Sequence, residues 1–346
     1  MKPTITYEEI LKIKRDRHIG FVDVRSPGEY QHSTIPGAHN IPILDNQARE
    51  TVGILYAERK FNEAKRFAIE WTSARLPAMY DQYQKLCQEY DELVLFCSRG
   101  GMRSNTIFSL LKAIGMPVSR MESGFKGYRR YVVEHLDEQL SKVHFVTLYG
   151  LSGSGKTEIL KELADQGQKV LDIEACANHR GSLLGGIGLS QPHSQKMFEA
   201  LLFDISRDWQ TGDIIFTEGE SKRVGNVILP KKLFSAIQKD TKIFIDASLE
   251  YRVNQIHKDY IQDNDLIELT KTIEGLKHVI NPERVQEFQK QLGANQTNAV
   301  IEKLLTSYYD PKYSYQKKEY QKTFTNLNCR QTAEKIIDWL TFERNS

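Results

Sequence analysis

Short apolar runs alternate with segments of helical spacing along the first half of the chain. Residues 7–15 carry Ile10, Leu11 and Ile13 on one helical face, and Ile19-Gly20-Phe21-Val22-Asp23-Val24 is a buried strand. Arg25 to Tyr30 is a turn leading into a helix start, and Ile35 to Pro42 is a loop entering a strand. Helical patterns follow from about residue 44 to Tyr90. The apolar run Leu93-Val94-Leu95 then leads to Phe96-Cys97-Ser98-Arg99-Gly100-Gly101-Met102-Arg103-Ser104 and a helical run with Ile107, Leu110, Leu111 and Ile114. Residues 137–144 are polar and read as the end of a first domain.

The second half repeats the rhythm. Strands are expected at Phe145–Tyr149, Lys169–Ile173, Asp213–Thr217 and Thr241–Asp246, the first followed by a helix with Ile159, Leu160 and Leu163. The last hundred residues read as mainly helical, with Leu266, Ile273, Leu276 and Ile280, then Val300, Ile301, Leu304 and Leu305, then Ile336, Ile337 and Trp339. Strands alternating with helices predict an α/β chain built on mainly parallel sheets. The expected division is a first domain over 1–140, with a helical insertion at about 44–90, and a second over 141–346 whose region from about 250 is helical. In such sheets reactive groups gather at the carboxyl ends of the strands, so Asp23 and Cys97 are expected on one edge.

Composition narrows this little. With 346 residues, 27% charged and 40% hydrophobic, the chain suits two ordinary globular domains. No apolar run approaches the ~20 residues of a membrane span. Met1-Lys2-Pro3-Thr4 lacks a signal-peptide core, and Cys87, Cys97, Cys176 and Cys329 are scattered, so a reduced, cytoplasmic protein without membrane partners is expected. A net charge of +2 means that any nucleic-acid surface is local.

Two glycine-rich loops carry chemistry. In the first, Cys97 ends a strand above a helix N-terminus, where backbone N–H groups with Arg99 and Arg103 stabilise a thiolate. The sharp reading is a nucleophile facing an anion; the bland one is a small buried cysteine beside solvated arginines. Read alone, the loop leaves sulfur transfer and phosphate hydrolysis both open. In the second, Gly150-Leu151-Ser152-Gly153-Ser154-Gly155-Lys156-Thr157 lies between strand and helix and fits G-x-x-x-x-G-K-T. Gly150, Ser152, Gly153, Ser154 and Gly155 form a phosphate cradle, Lys156 adds a point charge, and Thr157 offers a hydroxyl suited to Mg²⁺.

Later strands deliver polar residues beside this loop. Asp172, Glu174, Glu218 and Glu220 are candidates for metal, base or ribose contacts, and Arg180, Lys222 and Arg223 for anion contacts. Asn178, His179 and Ser221 lie in the same segments, although a lone histidine in a polar loop is more often a structural hydrogen-bonder. Residues 307–322 interleave five tyrosines with four lysines, which makes Tyr308, Tyr309, Lys312, Tyr313, Lys317 and Lys318 candidate RNA contacts.

Val22 to Tyr30, His32 to Pro42, the Cys97 loop and Gly124-Phe125-Lys126-Gly127-Tyr128 together resemble a rhodanese domain over about residues 5–135. That resemblance implies that Cys97 carries a chalcogen. One departure is the spacing of six positions from Cys97 to Arg103, where single-domain rhodaneses usually have five and cysteine phosphatases six. The longer loop suits a phosphate-bearing donor.

Fused to a P-loop, the chain resembles the tRNA 2-selenouridine synthase family over nearly its whole length. The residues carrying this are Ala48 to Tyr56, Cys97 to Ser104, Gly150 to Thr157, Ala177 to Ser182, Glu218 to Gly225, and Tyr308-Tyr309-Asp310-Pro311. The chain departs at Leu183-Leu184, where an aromatic is expected before the glycine, which bears on pocket shape. The resemblance implies S-geranylation of the wobble 2-thiouridine of tRNA by geranyl diphosphate. Selenium from selenophosphate then replaces the geranylthio group, with Cys97 as selenium carrier beside Arg99, Arg103 and Asp23. A selenophosphate-supplying enzyme is the implied protein partner, with no tightly bound cofactor. Two other readings fit the loops: a nucleotide-dependent kinase with a rhodanese-like phosphatase or regulatory domain, and a non-catalytic chalcogen carrier or tRNA-binding adaptor.

Overall fold

The computed structural model describes residues 2–14, 16–180, 190–260, 270, 273–274, 281–312 and 319–345. The chain separates into two compact units, Met1–Leu136 with Lys196–Asp204, and Asp137–Gln195 with Ile205–Ser346.

The first unit holds a five-stranded parallel sheet of β1 (Thr4–Ile5), β2 (Ile19–Asp23), β3 (His39–Asn40), β4 (Glu92–Phe96) and β5 (Val118–Met121), in the order β1-β5-β4-β2-β3. Every residue of β2 and β4 is buried, as expected for parallel strands covered on both faces. Asp23 pairs in register with Phe96, which sets Asp23 and Cys97 at the same carboxyl edge. Three helices fill the stretch between β3 and β4: α3 (Asn46–Ala57), α4 (Phe61–Ser73) and α5 (Leu76–Glu89). Asp45 starts α3 by accepting a hydrogen bond from the Ala48 N–H at 2.8 Å. Met79, Tyr83 and Leu86 of α5 recur at helical spacing and are buried against the sheet with Leu93, Leu95 and Ile107.

After the Cys97 loop come α6 (Met102–Ala113) and, beyond β5, α7 (Gly124–Ser141). The polar stretch expected to end the first domain is thus partly helix, because α7 runs on through Ser141. Nine residues from later in the chain complete this unit. They lie in α10 (Gln195–Ser206), where Phe203 packs edge-on to Tyr131 with ring centroids 5.8 Å apart and lies 6.5 Å from Tyr7. Arg129 pairs with Glu199 of the same helix.

The second unit is a five-stranded parallel sheet ordered β12-β11-β6-β8-β7, formed by β6 (His144–Tyr149), β7 (Lys169–Leu171), β8 (Ile214–Glu218), β11 (Thr241–Asp246) and β12 (Lys322–Thr325). A short antiparallel pair, β9 (Arg223–Val224) with β10 (Val227–Ile228), stands beside it. β6 is the central strand, and α8 (Lys156–Asp165) follows it through the glycine loop. Further helices are α9 (Ile173–Ala177), α11 (Lys231–Lys239), α12 (Leu249–Tyr260), α13 (Pro282–Gly293), α14 (Thr297–Leu304) and α15 (Cys329–Asn345). The last hundred residues are therefore not wholly helical, since they supply β12. That strand reads Lys-Thr-Phe-Thr, and Phe324 is its one buried residue, so it has no apolar run to announce it.

Candidate functional site

Cys97 leaves the end of β4 and is 3% exposed. Its loop is clasped from the start of α7: the Phe125 N–H donates to the Cys97 carbonyl at 2.8 Å and the Lys126 N–H to the Ser98 carbonyl at 2.9 Å. Gly124 makes this approach possible, because a Cβ there would sit 2.2 Å from the Cys97 oxygen. Arg120 ties down the far side, donating to the Gly100 carbonyl at 2.7 Å. The Cys97 Sγ lies 3.2 Å from the Ser104 hydroxyl.

Burial alone raises the Cys97 thiol. The Ser104 hydroxyl, the N–H groups of Ser104 and Arg99, and the charge of Arg103 outweigh it and bring the net shift below the ordinary value of 9.0. A thiol so placed is a usable nucleophile or chalcogen holder.

Arg103 does not stand free above the sulfur. It donates to both oxygens of Glu29, at 2.6 and 3.3 Å, and to the Ser98 hydroxyl at 3.2 Å. Burial would raise Glu29, but the Arg103 bonds and charge dominate and hold it down at about 2. Arg99 is exposed, and its contribution to the thiol is through its backbone N–H. Asp23 is fully buried and engaged by Arg25 Nη2 at 2.6 Å and the Thr34 hydroxyl at 2.9 Å. Arg25 in turn lies 4.2 Å from the centre of the Phe125 ring. Asp23 thus stands on the edge expected for it, and its carboxylate braces the strand end on which Cys97 is held.

In front of Cys97 the helices α3 and α4 enclose a cavity of about 680 Å³. Glu29, Arg49, Cys97, Ser98 and Arg103 form its polar end.

In the second unit the glycine loop turns tightly between β6 and α8. Gly153 and Gly155 have φ of +79° and +86°, and a Cβ on Gly155 would meet Asn326 Nδ2 at 2.6 Å. Lys156 folds over the loop and donates to the carbonyls of Gly150 at 3.0 Å and Leu151 at 3.4 Å. Thr157 follows it in the first turn of α8. Two residues that sequence reasoning missed hold the loop from behind. Arg252 donates from Nε to the Ser152 carbonyl at 2.8 Å and pairs with both oxygens of Asp310 at 3.0 and 2.6 Å. Asn326 donates to the Ser154 carbonyl at 2.9 Å and accepts from Thr332 at 3.0 Å. The signal for Asp310 was its place after the Tyr308-Tyr309 pair; Arg252 and Asn326 carry none.

Three of the four expected carboxylates act electrostatically on Lys156. Burial lowers the Lys156 ammonium, against the opposing charges of Glu174, Glu220 and Glu218. Burial, then the neighbouring carboxylates, pushes Glu218 well above 4.5 and Glu174 up to about 8; burial also raises Asp172 and Glu220. One Glu218 oxygen accepts the Glu174 N–H at 2.9 Å, while Oε2 has no hydrogen-bond partner among the described residues and the residue is 1% exposed. Glu174, at about 8, keeps its proton at neutral pH, so it offers an O–H donor to an arriving anion instead of repelling it.

The other expected residues divide. Asn178 is a brace, donating to the Ser190 and Gln191 carbonyls at 3.1 and 3.0 Å from a left-handed turn. The His179 ring lies within 3 Å of where a Gly225 Cβ would stand, and burial lowers its pKa. Arg180 is part-buried and raises no barrier to Glu174 ionising, since its charge lowers that group. Ser221 donates to the Arg223 carbonyl, Arg223 donates to the Gly225 carbonyl at 3.2 Å, and Lys222 is exposed. Tyr309 packs into the apolar cluster of α12, α13 and α14 with Val285, Phe288 and Leu305, and the part-buried Tyr308 packs against it. The Lys312 side chain, Tyr313, Lys317 and Lys318, like Leu183 and Leu184, lie outside the described residues.

Among the described residues no three His, Cys, Asp or Glu side chains are arranged to hold a metal, and no helix is long and apolar enough to cross a membrane. Residues 6–131 match the family model of the rhodanese-like domain, and residues 143–297 and 268–346 that of the tRNA 2-selenouridine synthase AAA domain. A tRNA 2-selenouridine synthase of Hydrogenovibrio crunogenus is 30% identical over 88% of this chain and 91% of its own. Those of Marinobacter nauticus and Cupriavidus necator are 28% and 27% identical, each over 93% of this chain and 94% of theirs.

Proposed function

This chain belongs to the tRNA 2-selenouridine synthase family, and from that premise we propose that it is a transferase converting the wobble 2-thiouridine of tRNA to 2-selenouridine in two steps. In the first, the thiocarbonyl sulfur attacks C1 of geranyl diphosphate; a C–S bond forms, the C–O bond breaks and diphosphate departs. In the second, selenophosphate held in the cradle of Cys97 attacks C2 through its selenium: the C2–Se bond forms, the C2–S bond breaks and geranylthiol leaves, and water then cleaves the P–Se bond to release phosphate and leave 2-selenouridine. A thiocarbonyl carbon has no good leaving group of its own, and alkylation supplies one.

The observation that carries this reading is the presence of two anion cradles of different chemistry on one chain, the first built around Cys97, whose thiol is held below its ordinary value, and the second around Lys156. Gly150–Thr157 offers backbone N–H groups and Lys156 to a departing diphosphate. A Mg²⁺ ion, when bound, would neutralise charge on that leaving group, and the Thr157 hydroxyl is the protein group that suits it. Glu174, at about 8, holds its proton at neutral pH and is matched to donate it to the departing diphosphate. The wobble base leaves its stack to reach either cradle. Lys312, Tyr313, Lys317 and Lys318 remain proposed RNA contacts, and an enzyme making selenophosphate the proposed supplier.

The test is mass spectrometry of nucleosides from thiouridine-bearing tRNA incubated with the chain. Geranyl diphosphate should give S-geranyl-2-thiouridine, and later addition of selenophosphate should give 2-selenouridine. Selenouridine formed without any geranyl donor would refute the order of steps. Nucleoside triphosphate turnover without tRNA would favour the kinase reading instead.

A further inference from the structure

The cavity before Cys97 has more wall than a small selenium donor needs. Its polar end, with Cys97, Ser98, Arg103 and Glu29, suits a tetrahedral anion. The opposite wall is Ile43, Leu44, Val52, Ala64, Ala68 and Ile69, and the volume falls in the range of small-molecule sites, roughly 300–1,000 Å³. An inorganic anion gains nothing from that wall.

The helices are built to keep the space open. On α3, Arg49, Val52, Gly53 and Tyr56 fall on one face; on α4, Ala64, Lys65, Ala68, Ile69 and Thr72 do the same. Three of the residues lining these faces, Gly53, Ala64 and Ala68, are small. Gly53 lies mid-helix without a left-handed backbone, and a Cβ there would touch nothing within 4 Å. Neither conformation nor crowding asks for glycine, which weakens a helix. What its absent side chain leaves is room in the cavity.

We infer that this chamber is the binding site for the isoprenyl chain of an S-alkylated 2-thiouridine, with the chain against Val52, Gly53 and Ala68 and the base at the Cys97 end. This rests on the two-step reading above and adds to it a means of selection. The selenation site recognises the alkyl group itself, so an unalkylated thiouridine is passed over, and the departing geranylthiol is released into apolar surroundings.

The test reads shielding of Cys97 in the full chain. Iodoacetamide labelling of Cys97 is followed by peptide mass spectrometry, with Cys87 as internal reference, against S-geranyl- and S-methyl-2-thiouridine nucleosides. The geranyl compound should shield Cys97 at roughly 100-fold lower concentration, because even one methylene in an apolar pocket is worth about 10–200-fold. Gly53→Leu, which favours the helix while filling the chamber, and Ala68→Phe, which fills it from α4, should each abolish the difference. Equal shielding by both nucleosides in the wild type, or a preference unchanged in both variants, would overturn the assignment. Selenouridine formation is scored separately: its absence alongside selective shielding refutes the two-step reading and leaves the chamber standing, and its presence without selective shielding refutes the chamber alone.

Discussion

Glu29 and Arg103 are 74 residues apart in sequence and meet at the rim of the Cys97 loop, with Arg103 Nη1 2.6 Å from Glu29 Oε2. The carboxylate neutralises the cation that would otherwise act in full on the sulfur. Glu29→Gln should therefore lower the apparent pKa of Cys97 by roughly one unit, read from the pH dependence of its alkylation rate. An unchanged or raised pKa would refute this. The pair also shapes acid stability. Glu29 is held at about 2 against an ordinary 4.5, so its contribution is complete above about 4.5 and is lost as pH falls towards 2. That part of the acid limb should disappear in the variant.

The two cradles predict separable lesions. Cys97→Ala should leave S-geranyl-2-thiouridine accumulating in tRNA, because only the step at the thiol is lost. Lys156→Ala should leave 2-thiouridine unreacted, with a loss of at least about 100-fold in geranylation if the lysine stabilises departing diphosphate. Nucleoside mass spectrometry distinguishes them. Unreacted thiouridine in Cys97→Ala would refute the division of labour.

The carboxylates around Lys156 give the opposite pH signature to Glu29. Glu174 is raised from 4.5 to about 8, so the folded state holds its proton more tightly than the unfolded chain does. Its contribution to stability is full below about 4.5 and declines as pH rises through 8. The unfolding temperature should fall across this window, and Glu174→Gln should flatten that decline. A variant curve parallel to the wild type would contradict it.

Arg252 is 4% exposed and its charge is answered by Asp310. Asp310→Ala strands the guanidinium and should cost roughly 3 kcal/mol in urea unfolding. The Ser152 carbonyl shares that guanidinium, so binding of inorganic diphosphate to the loop should weaken as well. Undiminished diphosphate affinity would separate the pair from the loop's function.

The two cradles were legible in the sequence because each is local: strand, glycine loop and helix are contiguous, and the chemistry is written in nine or so neighbouring residues. What was not legible depends on distant partners. Arg252 and Asn326 look like ordinary polar residues of a C-terminal region, and only the fold brings them behind a loop a hundred and more positions earlier. Asp23 has the position of a catalytic residue but is saturated by Arg25 and Thr34. Tyr308 and Tyr309 lie in a stretch whose lysines suggested an RNA surface, yet the Tyr309 ring is core and Tyr308 packs against that core. β12 has one inward side chain and needs the register of β11 to be a strand. The chamber in front of Cys97 was written in Ala48 to Tyr56, where the informative residue is the side chain that Gly53 lacks.

The first unit closes with residues 196–204, long after its own sheet has ended. During synthesis Tyr7 and Tyr131 must therefore wait for Phe203, and Arg129 for Glu199. At roughly 5–20 residues per second, the interval between emergence of Leu136 and of Asp204 is on the order of 3–14 s. Over that interval the glycine loop of the second unit is already being made. The order in which the ribosome begins the two units is thus not the order in which they are finished: the unit that holds the thiol is begun first, but its last helix arrives only after the phosphate loop.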